Sequence, residues 1–210
     1  MDMAVDHPSC EYVGVDMVDV AKAHIVPDNI KFLYSDLTEG LPEIPSNTYD
    51  FVHMRLFVLA LREDEWQDAV HHAVRVAKPG GVVQLLEYYF TPTFDHDPTV
   101  GKAANAIVDT MATRGQDPYV GPKLGKLLTK AGCHVLETDK RPIDMTTNTM
   151  AARKFIWNWQ QVLKGMMPIM GPNIGLTDKD EQNRFIQDVC HGISHCPPFF
   201  FMYAAAGQKL

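Results

Sequence analysis

Basic residues are in short supply in this chain. Its 210 residues carry 19 Lys and Arg against 26 Asp and Glu, a formal net charge of −7. A surface of that sign repels a polyphosphate, and no Lys/Arg cluster interrupts it, so direct nucleic-acid binding is not expected. Long apolar runs are missing as well. The longest, Phe199 to Ala206, is far shorter than the roughly 20 residues of a membrane-spanning helix, so no membrane association is expected. The opening Met1-Asp2-Met3-Ala4-Val5-Asp6 is acidic and has no apolar centre, so it does not read as a signal peptide. Cysteine is scarce and scattered. Cys10, Cys133, Cys190 and Cys196 form no Cys-x-x-Cys, which predicts free thiols in a reducing compartment, the cytoplasm. Glycine is absent where a nucleotide-binding loop would need it, because no Gly-x-Gly precedes Tyr12.

What remains is an ordinary globular composition, 46% apolar, in a length that suits one α/β domain. Tyr12-Val13-Gly14-Val15-Asp16 reads as a first strand and Ile30 to Asp36 as a second. Tyr49 to Met54 reads as a third strand, entered from the Asn47-Thr48 turn. Asp64-Glu65 then open a helix with apolar residues at Trp66, Ala69, Val70, Ala73, Val74 and Ala77. Pro79-Gly80-Gly81 ends that helix and leads into Val82 to Glu87. Near-continuous apolar strands separated by helices predict a parallel sheet covered on both faces.

The second half continues the pattern. Helices are predicted from Val100 to about Ala112, from Pro122 to Lys130 with Gly132 as its cap, from Asn148 to about Lys164, and from Asp178 to Gly192. Strands are predicted at Cys133 to Thr138 and Pro198 to Ala205, and these two are expected to pair as the last edge of the sheet. Gly165 to Gly175, with Pro168 and Pro172, reads as an irregular connection.

The strand order places Asp16 and Asp36 at the carboxyl edge of the sheet, where open α/β sheets bind ligands. A carboxylate there suits a vicinal diol, because it accepts two hydrogen bonds at once. The bland alternative for each acid is a turn or helix cap. His53 is either a base for an acceptor hydroxyl or a hydrogen-bonded strand terminus. Arg55 suits a carboxylate or a structural ion pair equally. Glu87 faces either substrate or solvent. Cys190-His191 and His195-Cys196 lack the paired spacing of a zinc site, so no metal is expected. Phe155, Trp157, Trp159 and Met166-Met167 read as core before acceptor pocket.

These segments together resemble the class I S-adenosylmethionine-dependent methyltransferases, and within them the LaeA-like group of fungal small-molecule enzymes. The resemblance rests on Tyr12 to Met17, Phe32 to Leu37, Tyr49 to Arg55, Arg75-Val76-Ala77-Lys78-Pro79-Gly80-Gly81, and Leu127 to Cys133, in that order. It implies a Rossmann-like α/β fold over residues 1–210, with residues 148–192 as a helical cover between the last two strands. It implies S-adenosylmethionine as cofactor, held by Asp16, Met17, Asp36 and Leu37 at the nucleoside and flanked by His53, Met54 and Arg55 at the methionine end. A small, secondary metabolite-like molecule would take the methyl group, with His53 as the one candidate for catalysis.

By the same resemblance, Met3 to Pro8 matches the last turn of a helix, so the family's first strand and glycine-rich loop are expected to be missing. The neighbours of that strand would then either close into a smaller sheet or leave the chain marginal alone. LaeA-like proteins also suggest a rival reading, a non-catalytic regulatory module with a protein partner in the nucleus. A nicotinamide-dependent reductase is the third reading, disfavoured by the missing glycine fingerprint, by the Lys78-Pro79-Gly80-Gly81 turn and by the expectation of no Tyr-x-x-x-Lys.

Overall fold

The computed structural model describes residues 2–18, 27–90, 97–196 and 200–210. The first helix, α1 (Asp2–Asp6), precedes two strands, β1 (Tyr12–Asp16) and β2 (Ile30–Tyr34). These pair in parallel from Tyr12 opposite Ile30 to Asp16 opposite Tyr34. Gly14 has a packing reason to lack a side chain, since a Cβ there would lie 2.5 Å from the Phe32 ring.

A second sheet holds β3 (Tyr49–Arg55), β4 (Ala77–Phe90), β5 (Cys133–Pro142) and β6 (Phe200–Lys209), in the order β3-β4-β6-β5. β3 and β4 are parallel, and β6 runs antiparallel to both β4 and β5. The expected pairing of the last two strands is therefore present, with β6 inserted beside β4. Pro198 and Phe199, expected at the start of that strand, lie outside the described residues. The expectation of one continuous sheet needs correction. Among the described residues β1 and β3 form no ladder, so two sheets stand where one was expected. A small apolar cluster bridges them instead: Leu41, Ile44 and Val76, against which Val15, Leu33, Leu37, Tyr49 and Val52 pack.

Period-2 alternation gives the larger sheet two buried faces. On one face lie α2 (Trp66–Val76) and α4 (Leu124–Lys130). α2 buries Trp66, Ala69, Val70, Ala73 and Val74, the spacing that places five side chains on one helical stripe. On the other face lie α3 (Pro98–Thr113), α5 (Met150–Asn173) and α6 (Lys179–Ile193). Asp97 caps α3 and Asp178 caps α6, each accepting two backbone N–H groups. Trp159 of α5 lies flat on Phe200 with ring centroids 4.2 Å apart, and meets Phe90 edge-on. Trp157, two residues away, is exposed.

Two boundaries differ from expectation. α2 ends at Val76, and Lys78-Pro79-Gly80-Gly81 lies inside β4. Gly80 takes φ 78°, and a Cβ on Gly81 would lie 2.9 Å from the Lys78 carbonyl. The Lys78 ammonium grips both carboxylate oxygens of Asp50 at 2.8 Å across the irregular register of Tyr49 and Phe51. The second difference is α5, which continues through Pro168 and Pro172 to Asn173. Each proline removes one helical N–H. Both prolines are exposed, and so is Lys164, whose carbonyl loses its helical donor to Pro168. The opposite face stays intact, burying Leu163, Met167, Met170 and Gly171.

Arg75 ties α2 to the loop that follows β2. Its guanidinium donates to the carbonyls of Gly40, Leu41 and Ile44 and to the Ser46 hydroxyl, at 2.9 to 3.2 Å. Replacing it by alanine leaves three backbone carbonyls without that donor. Arg75→Ala is expected to cost about 2–3 kcal/mol of stability, given the worth of hydrogen bonds to charged groups. Urea unfolding measures this, and a change below about 0.5 kcal/mol, the scale of an ordinary surface substitution, would contradict the clamp.

Candidate functional site

The carboxyl edge of β1 and β2 carries both candidate nucleoside acids. Asp16 ends β1, and its carbonyl accepts from Ser35 N at 3.2 Å, which keeps the two strand ends level. Its Oδ1 accepts from Val18 N at 2.9 Å. Asp36 caps the 3-10 turn Leu37–Glu39. Its Oδ1 accepts from Thr38 N and from Thr38 Oγ1, each at 2.8 Å. Each acid therefore has a local turn role, and among the described residues each plays it through Oδ1 alone. Met17 is exposed beside Asp16. Leu37 is half-buried and packs against both core clusters.

The carboxyl end of β3 carries the other candidates, and the pleat divides them. Opposite pairs in the ladder are His53 with Gln84, Met54 with Leu85 and Arg55 with Leu86. His53 and Arg55 thus share a face with Gln84, Leu86 and Tyr88, while Met54 points to the opposite face and is buried in the core. Burial, and then the neighbouring Arg55 charge, hold the His53 imidazole below its ordinary pKa, against an opposing hydrogen bond with Gln84. The Phe51 ring stacks near His53 with centroids 6.2 Å apart. Burial pushes the Tyr88 phenol up to about 12, opposed by its hydrogen bond to Asn158 and by Arg55.

Glu87 faces neither substrate nor solvent. It is 0% exposed, among the most buried side chains of the protein. Its Oε1 accepts from Phe57 N at 2.9 Å and its Oε2 from Val58 N at 3.0 Å. These N–H groups open the 3-10 turn Phe57–Leu59, which starts directly after the end of β3. Leu56, between strand and turn, holds φ 62° and ψ 38°, a left-handed conformation that costs a branched residue of order 1–3 kcal/mol. Burial drives the Glu87 carboxyl up to about 8, with the turn N–H groups pulling the other way. A sequence signal existed. Period-2 alternation puts Glu87 on the face of Val83 and Leu85, both fully buried.

Other candidates take structural places. Phe155 and Met166 pack half-buried against the core, and Met167 is buried in it. The His191 and His195 rings lie tilted against each other with centroids 4.2 Å apart, and His195 Nδ1 lies 2.8 Å from the His191 carbonyl. Against that expectation, Tyr119 and Lys123 have the Tyr-x-x-x-Lys spacing used by some nicotinamide-dependent reductases. Lys123, however, is committed to Asp117 at 2.7 Å and Glu63 at 3.2 Å. No described helix is long and apolar enough to cross a membrane.

Comparison with known proteins fits this layout. A solved structure, a putative sarcosine dimethylglycine methyltransferase from Galdieria sulphuraria, superposes with a TM-score of 0.59 at 15% identity, covering 99% of this chain and 73% of that one. Residues 1–81 match the family described as a methyltransferase domain. The superposition shows a fold shared with a methyltransferase of known structure, and the sequence match to a methyltransferase domain covers residues 1–81.

Sequence similarity to two further proteins covers part of the chain. The chain is 35% identical over 89 residues to the secondary metabolism regulator laeA of Coprinopsis cinerea, a match covering 42% of this chain and 21% of that protein. It is 36% identical over 74 residues to the N-methyltransferase sirN of Leptosphaeria maculans, covering 35% of this chain and 26% of that protein. These matches span only a minor part of either relative's length.

Proposed function

We propose that this chain transfers a methyl group from S-adenosylmethionine to a small-molecule acceptor of the secondary-metabolite kind. The observation that carries the reading is the parallel β1–β2 pair, which ends in two carboxylates that, among the described residues, each use only Oδ1 locally, so that Oδ2 could accept from a ligand. Asp16 would accept from the ribose hydroxyls and Asp36 from the adenine amino group, a fit to the donors of a nucleoside. Met17, exposed beside Asp16, offers an apolar surface for the adenine face, and Leu37 supports the turn below it.

His53 and Arg55 would flank the methionine end, with Met54 anchoring their strand in the core. The cofactor supplies an already activated methyl group, so the protein's work is alignment. An imidazole held neutral at physiological pH is the group at the end of β3 able to take a proton from an acceptor hydroxyl. Similarity to a regulator of secondary metabolism and to an N-methyltransferase supports the acceptor class.

The regulator's name also favours a second reading, a non-catalytic interaction module built on the same fold. Calorimetric titration with S-adenosylhomocysteine, repeated in the presence of NADH, separates the readings. The expected result is binding at one site per chain, unaffected by NADH. No binding would favour the interaction module, and displacement by NADH would favour a reductase.

A further inference from the structure

We propose that Glu87 is a positioning residue: its ionised carboxylate, reaching from the end of β4, fixes the turn after β3 and thereby sets where His53 and Arg55 sit. The geometry supports each link. Both carboxylate oxygens accept, Oε1 from Phe57 N at 2.9 Å and Oε2 from Val58 N at 3.0 Å. A protonated carboxyl has one oxygen committed as a hydroxyl, and that oxygen is a poor partner for an N–H already aimed at it. Losing the proton therefore completes the turn, and gaining it frees one buried donor.

The turn is joined to the site by one residue. Leu56 links Arg55 to Phe57 in a left-handed conformation, and its N–H donates to the Leu86 carbonyl at 3.0 Å. A strained link of that kind holds only while both of its sides are fixed. Glu87 fixes one side from within the core. Among the described residues, the titratable groups on its own face include Tyr89 and Tyr203, with Tyr119 edge-on to Tyr89 at 5.9 Å and the Lys140 ammonium held 5.4 Å over the Tyr203 ring and 5.6 Å over the Tyr89 ring. The opposite face presents His53, Arg55 and Tyr88. Among the described residues no cation pairs with Glu87, so the turn N–H groups are what favour its ionised form.

The inference concerns the site that the methyltransferase reading uses, and its significance for catalysis rests on that reading. Its test does not. The full chain, labelled with nitrogen-15, is followed by NMR from pH 6 to 9.5. The amide protons of Phe57 and Val58 are expected to move downfield together as pH rises, with one midpoint near 8. The amides of His53, Met54 and Arg55 are expected to follow with the same midpoint. Glu87→Gln abolishes the shared transition, and Glu87→Asp restores one at a different pH. If the turn amides titrate while residues 53–55 stay still, the positioning role is overturned. If neither group moves in the wild-type chain, the proposal fails outright, whether or not the variants fold. Titration with S-adenosylhomocysteine at pH 6.5 and 9 completes the test. Should the amides behave as expected while no ligand binds at either pH, the methyltransferase reading fails and the role of Glu87 stands.

Discussion

Trp159→Ala is expected to lower stability by about 3–5 kcal/mol, the range for removing a large aromatic from a packed core. Few positions in the chain concentrate as much contact. The indole is 1% exposed, lies flat on Phe200, and touches the rings of Tyr88 and Phe90. It joins α5 to both β4 and β6, so its loss uncouples a helix from the centre of the larger sheet. Against a typical domain stability of roughly 5–15 kcal/mol, this leaves little margin. Trp159→Phe should cost much less, below about 1.5 kcal/mol, because a smaller ring fills most of the space. It also removes an indole N–H that, among the described residues, is buried with no hydrogen-bond partner. Urea unfolding followed by circular dichroism measures both. An alanine variant within about 1 kcal/mol of wild type would show that the aromatic cluster is not the structural centre it looks to be.

The largest effect on ligand binding is expected from Asp16→Asn. This substitution separates the two roles of the residue. Asparagine supports the same turn, since its side-chain carbonyl also accepts a backbone N–H two residues on. Stability should therefore change little. The charge is lost, and with it the charge-assisted hydrogen bonds to a diol. At about 1.5–3 kcal/mol for bonds to a charged group, affinity for S-adenosylhomocysteine should fall by roughly tenfold to a hundredfold. Equal affinity in the variant and the parent would assign Asp16 to its turn alone, and the nucleoside role would have to be abandoned for it.

Much of the fold is legible in the sequence because its elements report on themselves. The stripe from Trp66 to Val74 announces a helix, and its five buried positions are the ones the spacing marks. Asp97 before Pro98 and Asp178 before Lys179 mark helix starts through their own side chains. Elements that depend on what surrounds them are harder to read. Pro168 and Pro172 look like breakers until one knows that they face water. The fate of the β1 and β3 edges depends on pairing between distant segments, which no local pattern encodes. The site divides along the same line. Strand ends place Asp16 and Asp36 at one edge, as their positions imply. The pleat decides that Met54 turns away from His53 and Arg55. Glu87 was legible by alternation, but its three-dimensional partners lie thirty residues upstream in a turn with no sequence signature of its own.

The strand order has a consequence for how the chain is made. β6 is the last strand in sequence, yet it sits between β4 and β5. Its partners on β4 are more than a hundred residues earlier, from Val82 opposite Gln208 to Phe90 opposite Phe200. During synthesis β4 and β5 must wait with open edges while α5 and α6 are translated. Closing so long a loop is slow, and waiting edges are where chains stick to one another. Insertion of β6 is therefore the step at which folding competes with aggregation, and crowded expression or a weakened β6 should divert the chain into inclusion bodies before it alters the finished fold.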